Sequence, residues 1–405
     1  MRCSTSVGSI GATCERKRLL RKIRNEYLNC LPGPPYNMPI NKLVDAGEVY
    51  VIGEYNPGTN TPTGRYKIGM TQNDRSTYDR IIEHQTGNPN RLFIHGIVWC
   101  EASYLVEKMM HNQWNANRIG QEWFTLTPAE LVQVMADIAA FEAQHSPNIT
   151  AIRQYYYATP NPGDHPGLTA AQMTRAQTLR DDAYDVCKDM AELKFEYEAL
   201  KYELLVMNGV NAVVDSVTKI KISPPTTEFS HSLLPAPVKA QYTTLTQKPK
   251  DDFRFVFTQT AAEVCNISLA SAHWRNSFPA LETALQTVKA NWTNTVQPTI
   301  TIATANTNSQ PRTPLHETLH EAYVDKLREY EEKKTQKEII ELELRILCAN
   351  YEGIANVCRW RRVTPNPKFN KPEFKILEPA MYVDPAYQAP KGDTATPSVI
   401  KFKAW

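Results

Sequence analysis

The sequence predicts a mixed fold. It reads as an α/β (α+β) N-terminal domain, with a small mixed sheet and flanking helices, followed by long-helix-plus-strand repeats. Three observations carry this reading. Residues 47–145 alternate short β-rich runs with amphipathic stretches, the pattern of a small α/β unit. Leu179, Ala183, Val186, Met190, Leu193, Tyr197, Leu200, Leu204 and Met207 recur at alternating spacings of four and three, which keeps one apolar stripe in line along a long helix. The order helix, glycine, basic strand occurs twice, in YELLVMNGVNAVVDSVTKIKI and in RILCANYEGIANVCRWRRVTP, the mark of a two-copy internal repeat.

A chain of 405 residues can hold two or three domains with real cores. Its net charge of +2 argues neither for nor against a nucleic-acid partner. The eight cysteines are scattered and form no CxxC pair, which argues against a structural zinc knot and fits a reducing compartment. The first thirty residues lack an apolar core of the signal-peptide kind, and no run reaches the ~20 apolar residues of a membrane span. The expectation is a cytoplasmic protein with no membrane partner.

Residues 1–39 read as a basic arm. Arg16, Lys17, Arg18, Arg21, Lys22 and Arg24 place six cations in nine positions, which suits phosphates as well as it suits a solvated helix face. LPGPPYNMP (31–39) then breaks any helix, because proline fixes φ and lacks a donor. The first domain spans 40–147. Residues 49–52 form a buried strand, NPGTNTPTG (56–64) a hairpin loop, and 66–68 pair back. On a predicted helix around Glu107, Leu105, Val106, Met109 and Met110 fall on the core side. Lys108, Asn112 and Asn115 point to water, and Glu107 and His111, four apart, share the border.

TPNPGDHPG makes 148–168 a linker. Repeat 1 covers 169–230, with Gly209 as a left-handed cap before a β-rich stretch at 212–222. The apolar stripe calls for packed antiparallel helices or a coiled coil, and so admits a homo-oligomer through the long helices. Residues 231–314 form a polar connecting region, with strands near 253–257 and 299–302. Repeat 2 and the tail cover 315–405: a charged helix over 315–350, then Gly353 and a β-like stretch at 355–363.

VYVIG (49–53), YKIGMT (66–71), DRIIEH (79–84), LVEKMMH (105–111) and EWF (122–124), in that order and spacing, resemble the GIY-YIG endonuclease superfamily in its divergent phage- and prophage-type branch. The resemblance covers about 47–126 and implies a GIY-YIG-like domain acting on DNA, encoded by a phage or its bacterial host. It implies Mg²⁺ or Mn²⁺ on Glu107, Tyr50 beside the attacking water, and Arg80 on the scissile phosphate. His84 shares the helical face of Arg80 and can assist. Lys67 stands where many members carry the tyrosine of YIG. Tyr66 is one place early, and in a strand one place is the opposite face. Lys67 is therefore the residue expected to meet phosphate. His111 and the EWF residues Glu122, Trp123 and Phe124 match the branch as architecture. The C-terminal repeats are weakly similar to tail segments of lambda-type phage recombinase exonucleases. The catalytic carboxylates of those enzymes have no counterpart here, and the ExK of Glu192-Leu193-Lys194 falls on helix surface.

Three functions are open at this level. The first is a metal-dependent DNA endonuclease. The second is a catalytically inactive nuclease-like protein that binds DNA or scaffolds an assembly. The third is a zinc metalloprotease through HExxH at 316–320, with His316 and His320 as ligands, Glu317 as base and Glu338 or Glu341 completing the set. Thr313 and Pro314 place that motif in an exposed first turn. Arg359-Trp360-Arg361-Arg362 reads either as a grip on single-stranded nucleic acid or as a basic strand with one buried tryptophan.

Overall fold

The computed structural model describes residues 43–401, except 73–75, 121, 210–212, 215, 224, 245–249, 258–263, 266, 302–308, 364–366 and 393. The basic arm, with Arg16, Lys17, Arg18, Arg21, Lys22 and Arg24, lies outside the described residues.

The first unit is built on four strands, β1 (Gly47–Tyr55), β2 (Pro62–Met70), β3 (Arg91–Cys100) and β4 (Trp123–Thr125), in the order β3–β1–β2–β4. Every pairing is antiparallel, so the sheet is not the mixed one expected. Helix α1 (Thr77–Gln85) does link two strands of the same direction, β2 and β3, but β1 sits between them. Alternation along the strands sorts the faces. Val49, Val51, Tyr66 and Ile68 enter the main core with α2 (Ser103–Gln113) and α3 (Pro128–Tyr157). Tyr50 and Ile52 point the other way, towards Ile81 of α1.

Capping boxes start both α1, through Ser76 and Asp79, and α3, through Thr127 and Glu130. Helix α3 does not stop at the expected boundary near 147. It runs through Pro147 because Ile149, Ile152 and Tyr156 continue the buried face beyond it. Half of the expected linker is therefore helix, and part of the rest is β5 (Asn161–Asp164).

Helix α4 (Ala170–Asn208) leads into a hairpin, β6 (Val213–Val214) and β7 (Thr218–Ser223). Strand β8 (Thr226–Phe229) ends the expected first repeat, and the expected polar connection contains α5 (Ala236–Gln241), β9 (Thr243–Thr244), β10 (Lys250–Phe255), α6 (Ala272–Ser277) and α7 (Pro279–Asn291). It is not merely polar: Trp274, Leu285 and Trp292 are buried. Of the expected strand near 299–302, residue 302 lies outside the described residues, and Thr299 ends a 3₁₀ turn, Gln297–Thr299. Strand β11 (Ser309–Gln310) precedes α8 (Pro314–Cys348) and a second hairpin, β12 (Tyr351–Ile354) and β13 (Cys358–Val363). The tail adds β14 (Lys368–Phe369), α9 (Lys371–Leu377), α10 (Pro379–Val383), β15 (Gln388–Lys391) and β16 (Thr394–Val399).

Helices α4 and α8 pack antiparallel, as three ion pairs record: Arg175–Glu343 at 2.6 Å, Asp189–Lys333 at 2.6 Å and Glu196–Lys326 at 2.8 Å. The apolar stripe of α4 meets α8 of the same chain. Ala176, Leu179 and Ala183 share a core with Ile340 and Leu344, and Tyr197 and Leu204 share one with Tyr323 and Val324. Of the two packings the stripe admits, antiparallel helices and a coiled coil, the antiparallel pair forms here within one chain.

The two helix–hairpin units follow one plan. One offset separates Gly209 from Ala349, both at positive φ just past a helix, and Ser216 from Asn356, at 59° and 60° in the hairpin turns. Gly209 adopts φ 57° and ψ −131°, which is not the left-handed helical cap expected. The second copy uses Ala349 there, and Gly353 lies inside β12. At matching positions the Thr218 hydroxyl donates to Asn208 Oδ1 at 2.6 Å, and the Cys348 and Cys358 sulfurs stand 3.4 Å apart. Each hairpin also takes a parallel edge strand from the other half, β11 on β6 and β5 on β12. The halves are interlaced.

Candidate active site

The site starts from strand register. Tyr50 pairs with Gly69 and Ile52 with Lys67, so all four residues share one face of the sheet. A Cβ on Gly69 would stand 2.6 Å from the Tyr50 hydroxyl oxygen; glycine is what lets the phenol lie over β2. Helix α1 closes over this face, anchored where Glu48 accepts the Thr77 N–H at 2.7 Å. It presents Arg80 and His84 one turn apart.

The Tyr50 hydroxyl is 3.4 Å from His84 Nε2 and also bonds Arg80. Burial pushes the phenol up to about 12, although Arg80 opposes the shift. Burial, then Lys67 and Arg80, lower His84, so the imidazole is neutral at neutral pH and can take a proton. Arg80 Nη1 pairs with Glu83 at 2.7 Å, and its buried Nε has no hydrogen-bond partner among the described residues.

The second wall comes from β2, α2 and the segment before β4. Lys67 is buried and ion-paired with Glu122. Burial opposes the charge on Glu122, but Lys67 outweighs it and holds the carboxyl below its usual range. Glu107, on α2, is raised to about 7, first by burial and then by repulsion from Glu122; Lys108, Lys67 and a backbone bond from Met70 oppose the rise. His111 is buried and lowered to about 4 by burial. Its Nε2 donates to the Ile68 carbonyl at 2.9 Å, which ties α2 to β2.

The structure therefore gathers Tyr50, Lys67, Arg80 and His84 on the sheet face under α1. Glu107 and His111 come instead from α2 on the core side of the sheet and meet that group at β2, His111 through the Ile68 carbonyl and Glu107 through Lys67 and Glu122. Tyr66 lies in the core, on the face opposite Lys67. Two residues join the site that the sequence reading did not place there. Glu122, read as architecture, turns its carboxylate towards Lys67 and Glu107. Arg118 lies half-buried among Glu122, Glu331 and Glu107, and loss of solvent lowers its affinity for a proton. Glu122 at least heads the EWF run, whereas nothing in NANRIGQ marks Arg118.

A further correction concerns the outer face of α2. Lys108 and Asn112 were expected in water, but α8 covers them. Tyr104 donates to Glu338 at 3.4 Å, Lys108 lies 3.9 Å from Glu331, and Asn112 donates to Thr335 at 3.1 Å. The helix that carries Glu107 is docked on the long helix of the second repeat.

Among the described residues no group of three or more His, Cys, Asp or Glu could hold a metal by itself. One or two carboxylates completed by water and substrate phosphate are the usual protein share for Mg²⁺. Glu107 fits that role: it is a half-buried carboxylate whose proton affinity is raised by loss of solvent and then by Glu122, so a cation beside it would be favoured.

The rival sites do not open. His316 and His320 are buried rather than exposed, because the end of β16 passes over the first turns of α8. His320 Nε2 donates to the Ile400 carbonyl at 2.7 Å, and His316 Nδ1 accepts the Thr313 N–H at 3.2 Å. Glu338 is engaged by Tyr104, and Glu341 by Lys337 and Arg345. Trp360 is fully buried with Arg362 4.7 Å over its ring, the arrangement of a basic strand with a core tryptophan.

Comparison with known families reaches the same segment. Residues 47–139 match the T5orf172 domain. This is a phage-associated domain related to GIY-YIG-like, nuclease-type folds. The T5orf172 match runs from β1 into α3 and contains all eight site residues named above; the helical repeats lie beyond it. No curated protein and no solved structure matches the chain. No helix among the described residues is long and apolar enough to cross a membrane.

Proposed function

We propose that the T5orf172 segment is a metal-dependent DNA endonuclease domain with a GIY-YIG-type site. One observation carries the reading: a phenol, an imidazole, two cations and two carboxylates from β1, β2, α1, α2 and the segment before β4 converge around β2. Phosphodiester hydrolysis needs an activated water, a neutralised phosphate and a stabilised leaving oxygen.

Tyr50 stands beside the attacking water. With a pKa of about 12 the phenol holds its proton at neutral pH, so it needs a proton acceptor, and His84 stands 3.4 Å away in neutral form. Arg80 and Lys67 neutralise the phosphate oxygens, the guanidinium through its planar fork. Mg²⁺ or Mn²⁺ held on Glu107 would supply Lewis-acid polarisation of the phosphate. His111 acts only through position, by fixing α2 against β2.

One observation favours a second reading, a nuclease-like domain that binds DNA without cutting it. Lys67 is already neutralised by Glu122, so DNA must displace an existing ion pair. Single-turnover cleavage of a labelled duplex separates the two. Tyr50→Phe, Arg80→Ala and His84→Ala are each expected to cost tenfold to a thousandfold in rate with binding retained. An intact chain that binds but never cuts, with either metal, would leave the binding reading.

A further inference from the structure

The two repeats keep cations at matching strand positions: Lys219 and Lys221 on β7, Arg359 and Arg361 on β13. All four are exposed. Their surroundings differ. On the β10–β13–β12–β5 sheet, Arg359 is ion-paired with Asp164, and Arg361 lies opposite Asp252. The four strands of the β11–β6–β7–β16 sheet contain no Asp or Glu. Opposite Lys221 stands Thr396, and opposite Lys219 stands Ser398, so hydroxyls rather than carboxylates flank the lysines. Neither lysine makes an ion pair with the described residues. Among the described residues, one half of the pseudo-symmetric scaffold thus sets carboxylates beside its cations, and the other sets hydroxyls beside them.

The sheet that carries this lysine face and the helix that carries Glu107 both dock on α8. His320 of α8 meets Ile400 at the end of β16, and Glu331 of α8 meets Lys108 of α2. The two α8 residues are about three turns apart on one face of the helix, roughly 16 Å along its axis at 1.5 Å per residue. A duplex covers that distance in about five base pairs at ~3.4 Å each.

We infer that the exposed face of the β7–β16 pair, with Lys219, Lys221, Thr396 and Ser398, is a second contact for the phosphate backbone of duplex DNA held at the T5orf172 site. The inference rests on DNA being the substrate of that site. Ammonium groups supply the charge and the Thr396 hydroxyl a hydrogen bond for a sequence-independent contact, while the Ser398 hydroxyl donates to the Lys219 carbonyl at 3.3 Å and braces the pair. The face extends the footprint and plays no part in the bond-breaking step.

The test is fluorescence anisotropy of the full chain on a labelled duplex of about 30 base pairs, without divalent metal, over a salt series. K219E/K221E is expected to weaken binding tenfold or more. K219Q/K221Q should make the slope of log affinity against log salt shallower by about 2, at ~0.9 per lost phosphate contact. Both lysines are exposed, so folding should be unchanged, and thermal melting checks this. Unchanged affinity and slope on the duplex in the folded variants would overturn the inference. Plasmid cutting is scored separately. A binding defect in a chain that never cuts keeps the docking face and sinks the nuclease reading; normal cutting with no binding defect does the reverse.

Discussion

The Tyr50 hydroxyl lies 3.4 Å from His84 Nε2, over a strand position that only a glycine leaves open. Gly69→Ala would put a methyl 2.6 Å from that hydroxyl oxygen and push the ring aside. A displacement of about 1 Å at a reacting group can cost on the order of a hundredfold in rate. The substitution is expected to reduce cleavage to near the Tyr50→Phe level while destabilising the fold by only about 1–3 kcal/mol. Wild-type cleavage rates in Gly69→Ala would remove Tyr50 from the chemistry.

Glu107 gives a pH signature. Its pKa rises from 4.5 to about 7 on folding, so the folded protein holds a proton that the unfolded chain releases. The carboxyl carries no penalty below pH 4.5. The penalty builds as pH rises to about 7 and is full above that, on the order of 3 kcal/mol. Glu107→Gln should therefore stabilise the metal-free protein at pH 8 and lose that advantage near pH 4. Urea melts showing the same gain at both values would contradict the burial of this charge.

His111 runs the other way. Burial lowers its pKa from 6.5 to about 4, so stability from the neutral imidazole is complete above pH 6.5 and is lost as pH falls towards 4. The loss should be on the order of 3 kcal/mol. His111→Gln cannot titrate, and its stability curve should lack that descent. Parallel curves for the two proteins over pH 4–7 would mean that His111 protonates without cost.

Arg153 holds the late turns of α3 against the first unit. It is buried, donates to the Val44 carbonyl at 2.8 and 3.0 Å, and pairs with Glu101. Arg153→Met would leave a buried carbonyl and a carboxylate without this partner, a loss of about 3–5 kcal/mol. A cost below about 0.5 kcal/mol in urea unfolding would show that water replaces the guanidinium easily.

What the sequence revealed of the site followed the strand and helix periods. Tyr50 and Lys67 are two strand positions from known faces, and Arg80 and His84 are one turn apart; short-range geometry sufficed for these. Arg118 escaped because its carboxylate neighbours come from three separate segments, one of them α8. Lys108 and Asn112 were misread as solvated for the same reason: α8, more than 200 positions along the chain, supplies their partners. His316 and His320 were misplaced because the strand end that buries them lies 80 residues on. The repeat was visible in its order of elements but misaligned on glycine, since Ala349 adopts the positive φ that Gly209 adopts in the first copy. The exchange of edge strands between the halves left no local trace.

The most direct measurement is nicking of supercoiled plasmid by the full chain in Mg²⁺ or Mn²⁺, set beside Glu107→Ala. Metal-dependent nicking that disappears in the variant is the predicted result. Equal nicking by both proteins, or none by the intact chain on duplex, single-stranded or branched DNA, would contradict a nuclease site built on Glu107.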